Sequence, residues 1–193
     1  MKALILAGGF GVRLREIIHG QPKHMVSING QPFLRHLVAM LNRRGIKEII
    51  FSVGYLPRSI KEEFKDYSFS EDNRPLGTAG SLKAAQKYFK TDFLVINGDT
   101  YLDINYQVVF DAHLNSQKLM TLVESETNFV SCGAYVFSPK VFSLIPEAEK
   151  YSLEKDIIPQ LRQKQELNIF KTAHKFIDIG SPEGYQQALL ELK

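Results

Sequence analysis

The sequence predicts an α/β domain with a mainly parallel central sheet covered by helices on both faces. Short β-branched runs alternate with segments of helical periodicity, and apolar residues recur in short stretches without a sustained heptad or a triplet glycine repeat. Length is the third observation: 193 residues with 44% hydrophobic content suit one compact domain, 1–193, with a sizeable core, and not two full domains. A disordered chain, a collagen-like fibre and a coiled coil are excluded on the same grounds.

The elements follow in order. Lys2 to Ala7 reads as a buried first strand. Phe33, Leu34, Leu37, Val38 and Leu41 recur at helical spacing, and Gly45 stops that helix before a strand at Glu48 to Val53, completing a βαβ unit. Pro57 opens a short charged helix to Lys65. A helix from about Ala79 to Phe89 leads into a strand, Phe93 to Ile96, which Asn97-Gly98-Asp99 ends in a loop. Tyr106, Val109, Phe110 and Leu114 mark the next helix, with Asn105 as its cap, and strands follow near Lys118 to Val123 and Ser131 to Phe137. The tail holds a helix around Ser152 to Arg162, strands near Leu167 to Phe170 and His174 to Ile177, and a last helix from Pro182.

Charge is unevenly placed. The formal net charge is +3, and residues 1–24 carry all of it, with Lys2, Arg13, Arg15 and Lys23 against Glu16. A small anionic ligand at one loop explains this better than nucleic acid or a membrane surface, which draw basic residues over a whole face. The single cysteine, Cys132, closes no intramolecular disulfide, reads as a small buried hydrophobe and fits a reducing cytoplasm. No stretch approaches the roughly 20 apolar residues of a membrane span, so a soluble, unexported protein is expected.

Gly8, Gly9 and Gly11 follow the first strand, where the lack of a Cβ lets backbone N–H groups approach a phosphate, and Arg13 adds a charged fork. Neither common phosphate motif is present: Leu14 stands where a dinucleotide fingerprint needs glycine, and no Gly-Lys-Ser/Thr occurs. Lys23 lies close enough in sequence to return to the same phosphates. Asp99 and Asp178 lie at strand ends, where α/β sheets bind ligands, and two hard carboxylates suit Mg²⁺ completed by water and substrate phosphates. His19 and His24 read as ordinary, partly exposed histidines. No Gly-x-Ser-x-Gly elbow or Cys/His pair offers a nucleophile, and Tyr and Phe fall at core positions, which disfavours an RNA-stacking platform.

The run Leu4-Ile5-Leu6-Ala7-Gly8-Gly9-Phe10-Gly11-Val12-Arg13-Leu14, followed by Pro22-Lys23, resembles the signature of sugar-1-phosphate nucleotidyltransferases. Pro75 to Gly80, Asn97 to Thr100, Cys132 to Tyr135, Ser152 to Asp156 and Phe176 to Gly180 match that family in its order. Glu71 to Gly77 and Ser152 to Asp156 most resemble the guanylyltransferases acting on D-glycero-alpha-D-manno-heptose 1-phosphate or mannose 1-phosphate. The resemblance implies a Rossmann-like nucleotidyltransferase core, with a nucleotide-binding part over about 1–120 and a sugar-binding part over about 121–193.

It further implies backbone contacts to the base from Leu6, Ala7 and Gly8, joined by Gly77 and Thr78, and a triphosphate cradle from Gly9, Gly11 and Arg13. Lys23 would bind the α-phosphate and the attacking sugar phosphate, Asp99 and Asp178 would hold Mg²⁺, and Gly133 and Glu154 would face the sugar. Catalysis would rest on Arg13, Lys23 and Asp99 through positioning and charge neutralisation. The implied partners are a nucleoside triphosphate, GTP by this branch, a sugar 1-phosphate and a second copy in a homodimer.

Three departures stand out. Val12 replaces a usual Ser/Thr, and His24 follows Lys23 where proline is common. Only 36 positions separate Asn97 from Gly133, about half the span the resemblance leads one to expect, so the stretch that carries a Glu-Lys element gripping the sugar is either deleted or a mobile loop outside this sequence, and Val123 to Phe129 reads as a splice across it. A catalytically silent nucleotide-sugar-binding subunit is the alternative of another class, against which the retained Arg13, Lys23, Asp99 and Asp178 argue.

Overall fold

The computed structural model describes residues 1–9, 11, 20–147 and 149–192. Its strands are β1 (Lys2–Leu6), β2 (Ser27–Ile28), β3 (Gln31–Pro32), β4 (Glu48–Val53), β5 (Ser68–Glu71), β6 (Phe93–Asn97), β7 (Thr100–Tyr101), β8 (Met120–Ser125), β9 (Ser131–Phe137), β10 (Leu167–Thr172) and β11 (Ile177–Asp178). Seven of them form one sheet in the order β10-β8-β9-β6-β1-β4-β5. All neighbours run parallel except β9, which is antiparallel to β6 and β8. Because β1 has β4 on one side and β6 on the other, the strand order reverses at β1, and the loops leaving these strands open a crevice at their carboxyl ends.

Strand β1 shows why the chain folds this way. Its residues alternate between two apolar layers, Ala3 and Ile5 into one and Leu4 and Leu6 into the other, so it must be covered on both faces. The first layer packs against α1 (Phe33–Arg43), α2 (Pro57–Glu63) and α4 (Tyr106–Ser116); the second packs against α3 (Gly77–Ala84) and α5 (Ile158–Gln163). In the second layer Phe93 stacks on Phe89 at 4.1 Å and on Phe142 at 5.6 Å. A smaller cluster seats α6 (Pro182–Glu191) against β2 and β11 through Ile28, Ile177, Ile179 and Ala188.

Most predicted elements are present, including the Asn105 cap, whose Oδ1 accepts from Gln107 N at 3.1 Å. Four differ. The helix expected from Ala79 to Phe89 ends at Ala84 and gives way to a 3-10 turn at Gln86–Tyr88. The helix expected from Ser152 starts as one wide π turn, Leu153–Ile157, before α5. The strand expected from His174 is confined to Ile177–Asp178, and β5 was not anticipated because Ser68-Phe69-Ser70-Glu71 is too polar to read as a strand, as befits an edge.

The start of α3 is pinned to residues 149–151. Ala79 N and Gly80 N both donate to Tyr151 O, at 3.0 and 3.3 Å, while Tyr151 N donates to Leu76 O at 2.9 Å. Gly77 sits at φ +72°, and a Cβ there would overlap the Tyr151 carbonyl oxygen. Gly77→Ala should therefore lower the Tm by about 5–10 °C in a calorimetric scan. An unchanged Tm would show that the 149–151 segment yields freely.

Candidate active site

A cleft of about 450 Å³ opens at the carboxyl ends of β1, β4, β5 and β6. Gly8 and Gly54 let two of its loops meet, since a Cβ on Gly8 would lie 3.3 Å from Gly54 N. Gly9 packs over Lys23, whose Nζ lies 3.5 Å from where a Gly9 Cβ would be.

One pole of the cleft is a charge pair. Lys23 Nζ donates to Asp99 Oδ2, and both side chains are only 16% exposed. Burial by itself raises the Asp99 pKa, but the Lys23 ammonium, the His24 ring and the hydrogen bonds to the carboxylate together outweigh it and hold the carboxyl below its ordinary value. Asp178 is brought alongside by backbone pairing: it is the register partner of Thr100, and Ile179 N donates to Asp99 O at 2.9 Å. Gly180 N donates to Asp178 Oδ1 at 2.7 Å. Asp99 immediately precedes the β7–β11 ladder and Asp178 lies in it, so their backbones are neighbours; carboxylate oxygens are the donor type Mg²⁺ takes, and Asp99 lines the cleft whereas Asp178 is not among the residues that line it.

The other pole is an acceptor set that sequence reasoning missed. Asp72 follows β5, its N donating to Val53 O at 2.8 Å, and its Oδ2 accepts from Ser81 Oγ. Burial pushes the Asp72 pKa up, with the Ser81 hydrogen bond opposing. Among the described residues, five buried side-chain atoms have no hydrogen-bond partner, and four line this cleft: Asp72 Oδ1, Ser52 Oγ, Asn97 Oδ1 and His24 Nδ1. Such atoms are costly unless a ligand or water meets them, so their clustering marks a polar binding site. Ser52, the one polar residue among the buried positions of β4, was the available sequence signal.

The predicted residues divide accordingly. Leu6, Gly8, Gly9, Lys23, Gly77, Thr78 and Asp99 line the cleft. Ala7 sits behind it, its N–H donating to Ser52 O at 2.8 Å, and Gly11 is described but lies off the wall. Glu154 accepts from Thr78 Oγ1 at 3.0 Å, tying the predicted sugar side to the nucleotide side. Gly133, at φ +65°, presses on Thr100 and Asn97. Arg13, with Val12, Arg15 and His19, lies outside the described residues. Cys132 is buried, and burial with the Glu124 charge pushes its thiol up to about 11.

His24 departs from the exposed residue expected: it is 1% exposed and packed beneath Gly98. Burial, helped by the Lys23 charge, takes its pKa down to about 3.

A mainly parallel sheet with a glycine loop, a lysine and an aspartate at its carboxyl edge defines an open α/β protein with its cleft at the switch point of the strand order. The chain belongs to the nucleotidyl transferase family, which residues 2–128 match. It is 33% identical over 220 residues to the D-glycero-alpha-D-manno-heptose 1-phosphate guanylyltransferase of Campylobacter jejuni subsp. jejuni serotype O:2, covering 98% of this chain and 99% of the relative. It is 30% identical over 229 residues to the protein of that name from Aneurinibacillus thermoaerophilus, covering 100% and 99%. The crystal structure of HddC from Yersinia pseudotuberculosis complexed with GMP-PN superposes with a TM-score of 0.85 at 29% identity, covering 100% of this chain and 99% of that one. At least 27 of the 220 positions aligned with the Campylobacter relative have no counterpart in a chain of 193 residues.

The His24 burial predicts an acid-sensitive fold. Since the folded pKa is about 3 against 6.5 unfolded, the stability from keeping this ring neutral is complete above pH 6.5 and is lost as pH falls toward 3. His24→Leu should flatten the Tm profile across that window, whereas an unchanged slope would show that His24 is not the group responsible.

Proposed function

We propose that this chain transfers GMP from GTP to D-glycero-alpha-D-manno-heptose 1-phosphate, giving GDP-heptose and pyrophosphate. The observation that carries this reading is the polarity of the cleft, with the half-buried Asp72 carboxylate and its unpartnered Oδ1 at one end and a lysine–carboxylate pair at the other. Guanine presents N1–H and an exocyclic amine along one edge, and the Asp72 carboxylate accepts from both. Leu6, Gly8, Gly77 and Thr78 flank the base through their backbones. The triphosphate runs from there over Gly9, Gly11 and Arg13 toward Lys23.

An oxygen of the sugar 1-phosphate attacks the α-phosphorus in line. The new P–O bond forms as the bond to the β-phosphate oxygen breaks, and the electron pair leaves with pyrophosphate. The attacking oxygen is already anionic at neutral pH, so no protein nucleophile or strong base is required. Lys23 exchanges Asp99 for the α-phosphate, and with Arg13 it neutralises charge that builds at the reacting phosphorus. Asp99 and Asp178 would hold Mg²⁺, which would supply charge neutralisation at the phosphates. Strands β1, β4, β5 and β6 then serve the nucleotide, and β8 to β11, with Gly133 and Glu154, serve the sugar side.

Mannose 1-phosphate is the second acceptor to consider, since a mannose-1-phosphate guanyltransferase from Debaryomyces hansenii is 30% identical over 96% of this chain. Pyrophosphate release with four nucleoside triphosphates against heptose, mannose, glucose and N-acetylhexosamine 1-phosphates separates these readings. GTP with the heptose should be fastest, and no turnover with any pair would leave the silent-subunit reading. Asp99→Asn should abolish turnover and lower the Tm while the circular dichroism spectrum at 25 °C stays that of a folded chain; near-normal activity would remove Asp99 from the reaction. Asp72→Asn should lower kcat/KM for GTP on the order of 100-fold by placing a donor where guanine also donates. An equal loss with ATP would show that Asp72 does not read the base.

A further inference from the structure

Beyond Asn97 the cleft face of the sheet continues across three more strands. Register places Glu124 of β8 opposite Lys171 of β10 in an unbroken parallel run, and opposite Ser131 of β9 across a bulge after Leu122, so Glu124 and Lys171 share one face, and Ser131 joins it through its contact with Tyr135. It is the cleft face, because Leu122 and Tyr135, each at an alternate position of the same strand, belong to the apolar layer beneath the cleft. Ser131 Oγ lies 3.3 Å from the Tyr135 hydroxyl. With neighbouring strands about 4.8 Å apart, this strip runs about 5–14 Å sideways from Asn97.

The strip ends in an exposed aromatic ring. The β8–β9 turn is short, closed by Ser125 N donating to Val130 O at 3.0 Å and Phe129 N to Ser125 O at 3.1 Å. Phe129 is 64% exposed and sits at φ +56°, a conformation that costs a bulky residue energy. The Lys171 ammonium lies 5.2 Å from the Phe129 ring centroid. A flat apolar ring beside a donor, an acceptor and a hydroxyl is what a sugar requires, since a pyranose has an apolar C–H face and a rim of hydroxyls.

We propose that Phe129 and Lys171, at the carboxyl edge of the sheet beside β9, form the subsite for the glycosyl group, with Phe129 stacking on the sugar and Lys171 bonding its hydroxyls. This rests on the guanylyltransferase reading and extends it: a sugar whose phosphate lies at Lys23 and Asp99 points along the strip, and a seven-carbon chain reaches farther along it than a hexose. The tight β8–β9 turn, with Phe129 at φ +56°, carries the ring to this edge.

Isothermal titration of GDP and of GDP-D-glycero-alpha-D-manno-heptose into the wild-type chain, Phe129→Ala, Phe129→Tyr and Lys171→Met tests it. Phe129→Ala should weaken the GDP-heptose by about 3- to 10-fold and leave GDP unchanged, with Phe129→Tyr restoring affinity and Lys171→Met behaving like Phe129→Ala. Equal affinities of the wild type and Phe129→Ala for the GDP-heptose, or an equal weakening of GDP, would overturn the subsite alone. A wild-type chain that binds neither compound would overturn the guanylyltransferase reading and the subsite with it.

Discussion

The pairing of Lys23 with Asp99 is the constraint around which the site is built. Two charges in a largely buried position are tolerable only together, because removing one partner strands the other in low dielectric at a cost of about 3–5 kcal/mol. The pair also joins distant parts of the chain. Lys23 arrives on the 3-10 turn after the first-strand loop, Asp99 leaves β6, and the β7–β11 ladder hangs from the Asp99 carbonyl. Holding these together shapes the floor of the cleft before any ligand enters. The same charges are those a phosphate and a divalent cation would each compete for, so the pair acts as a preorganised, mutually neutralised form of the reactive site.

From that floor the cleft rises to a second, half-buried carboxylate, and the two differ in kind. Asp99 is held below its ordinary pKa with a neighbouring ammonium as its partner, whereas Asp72 is raised by burial and, among the described residues, accepts a side-chain hydrogen bond from Ser81. One carboxylate therefore suits charge neutralisation and the other suits hydrogen-bonded recognition of an uncharged base. The unpartnered atoms on Ser52, Asn97 and His24 between them leave the cleft short of polar partners along its whole length.

Much of this was legible in the sequence where the signal is local. Glycines after an apolar strand, a nearby lysine and an aspartate after another strand are visible as residue types at positions, and the cleft gathers Gly8, Gly9, Lys23 and Asp99 as expected. What was hidden arises from juxtaposition. Asp72 looks like any turn aspartate until β5 pairs with β4 and Ser81 comes up beneath it. His24 reads as a surface residue until Gly98, far along the chain, closes over it. The ion pair itself spans 76 residues, so Lys23 and Asp99 could be assigned separate tasks from sequence but not seen as partners. The polar edge strand β5 escaped for a related reason, since only its neighbour makes it a strand.

A crystal structure of the chain with a non-hydrolysable GTP analogue and Mg²⁺ tests the central claim most directly. The account predicts the guanine edge on the Asp72 carboxylate and Lys23 Nζ on the α-phosphate, with its bond to Asp99 given up. A bound nucleotide that leaves Lys23 on Asp99, or that places its base away from Asp72, would contradict it.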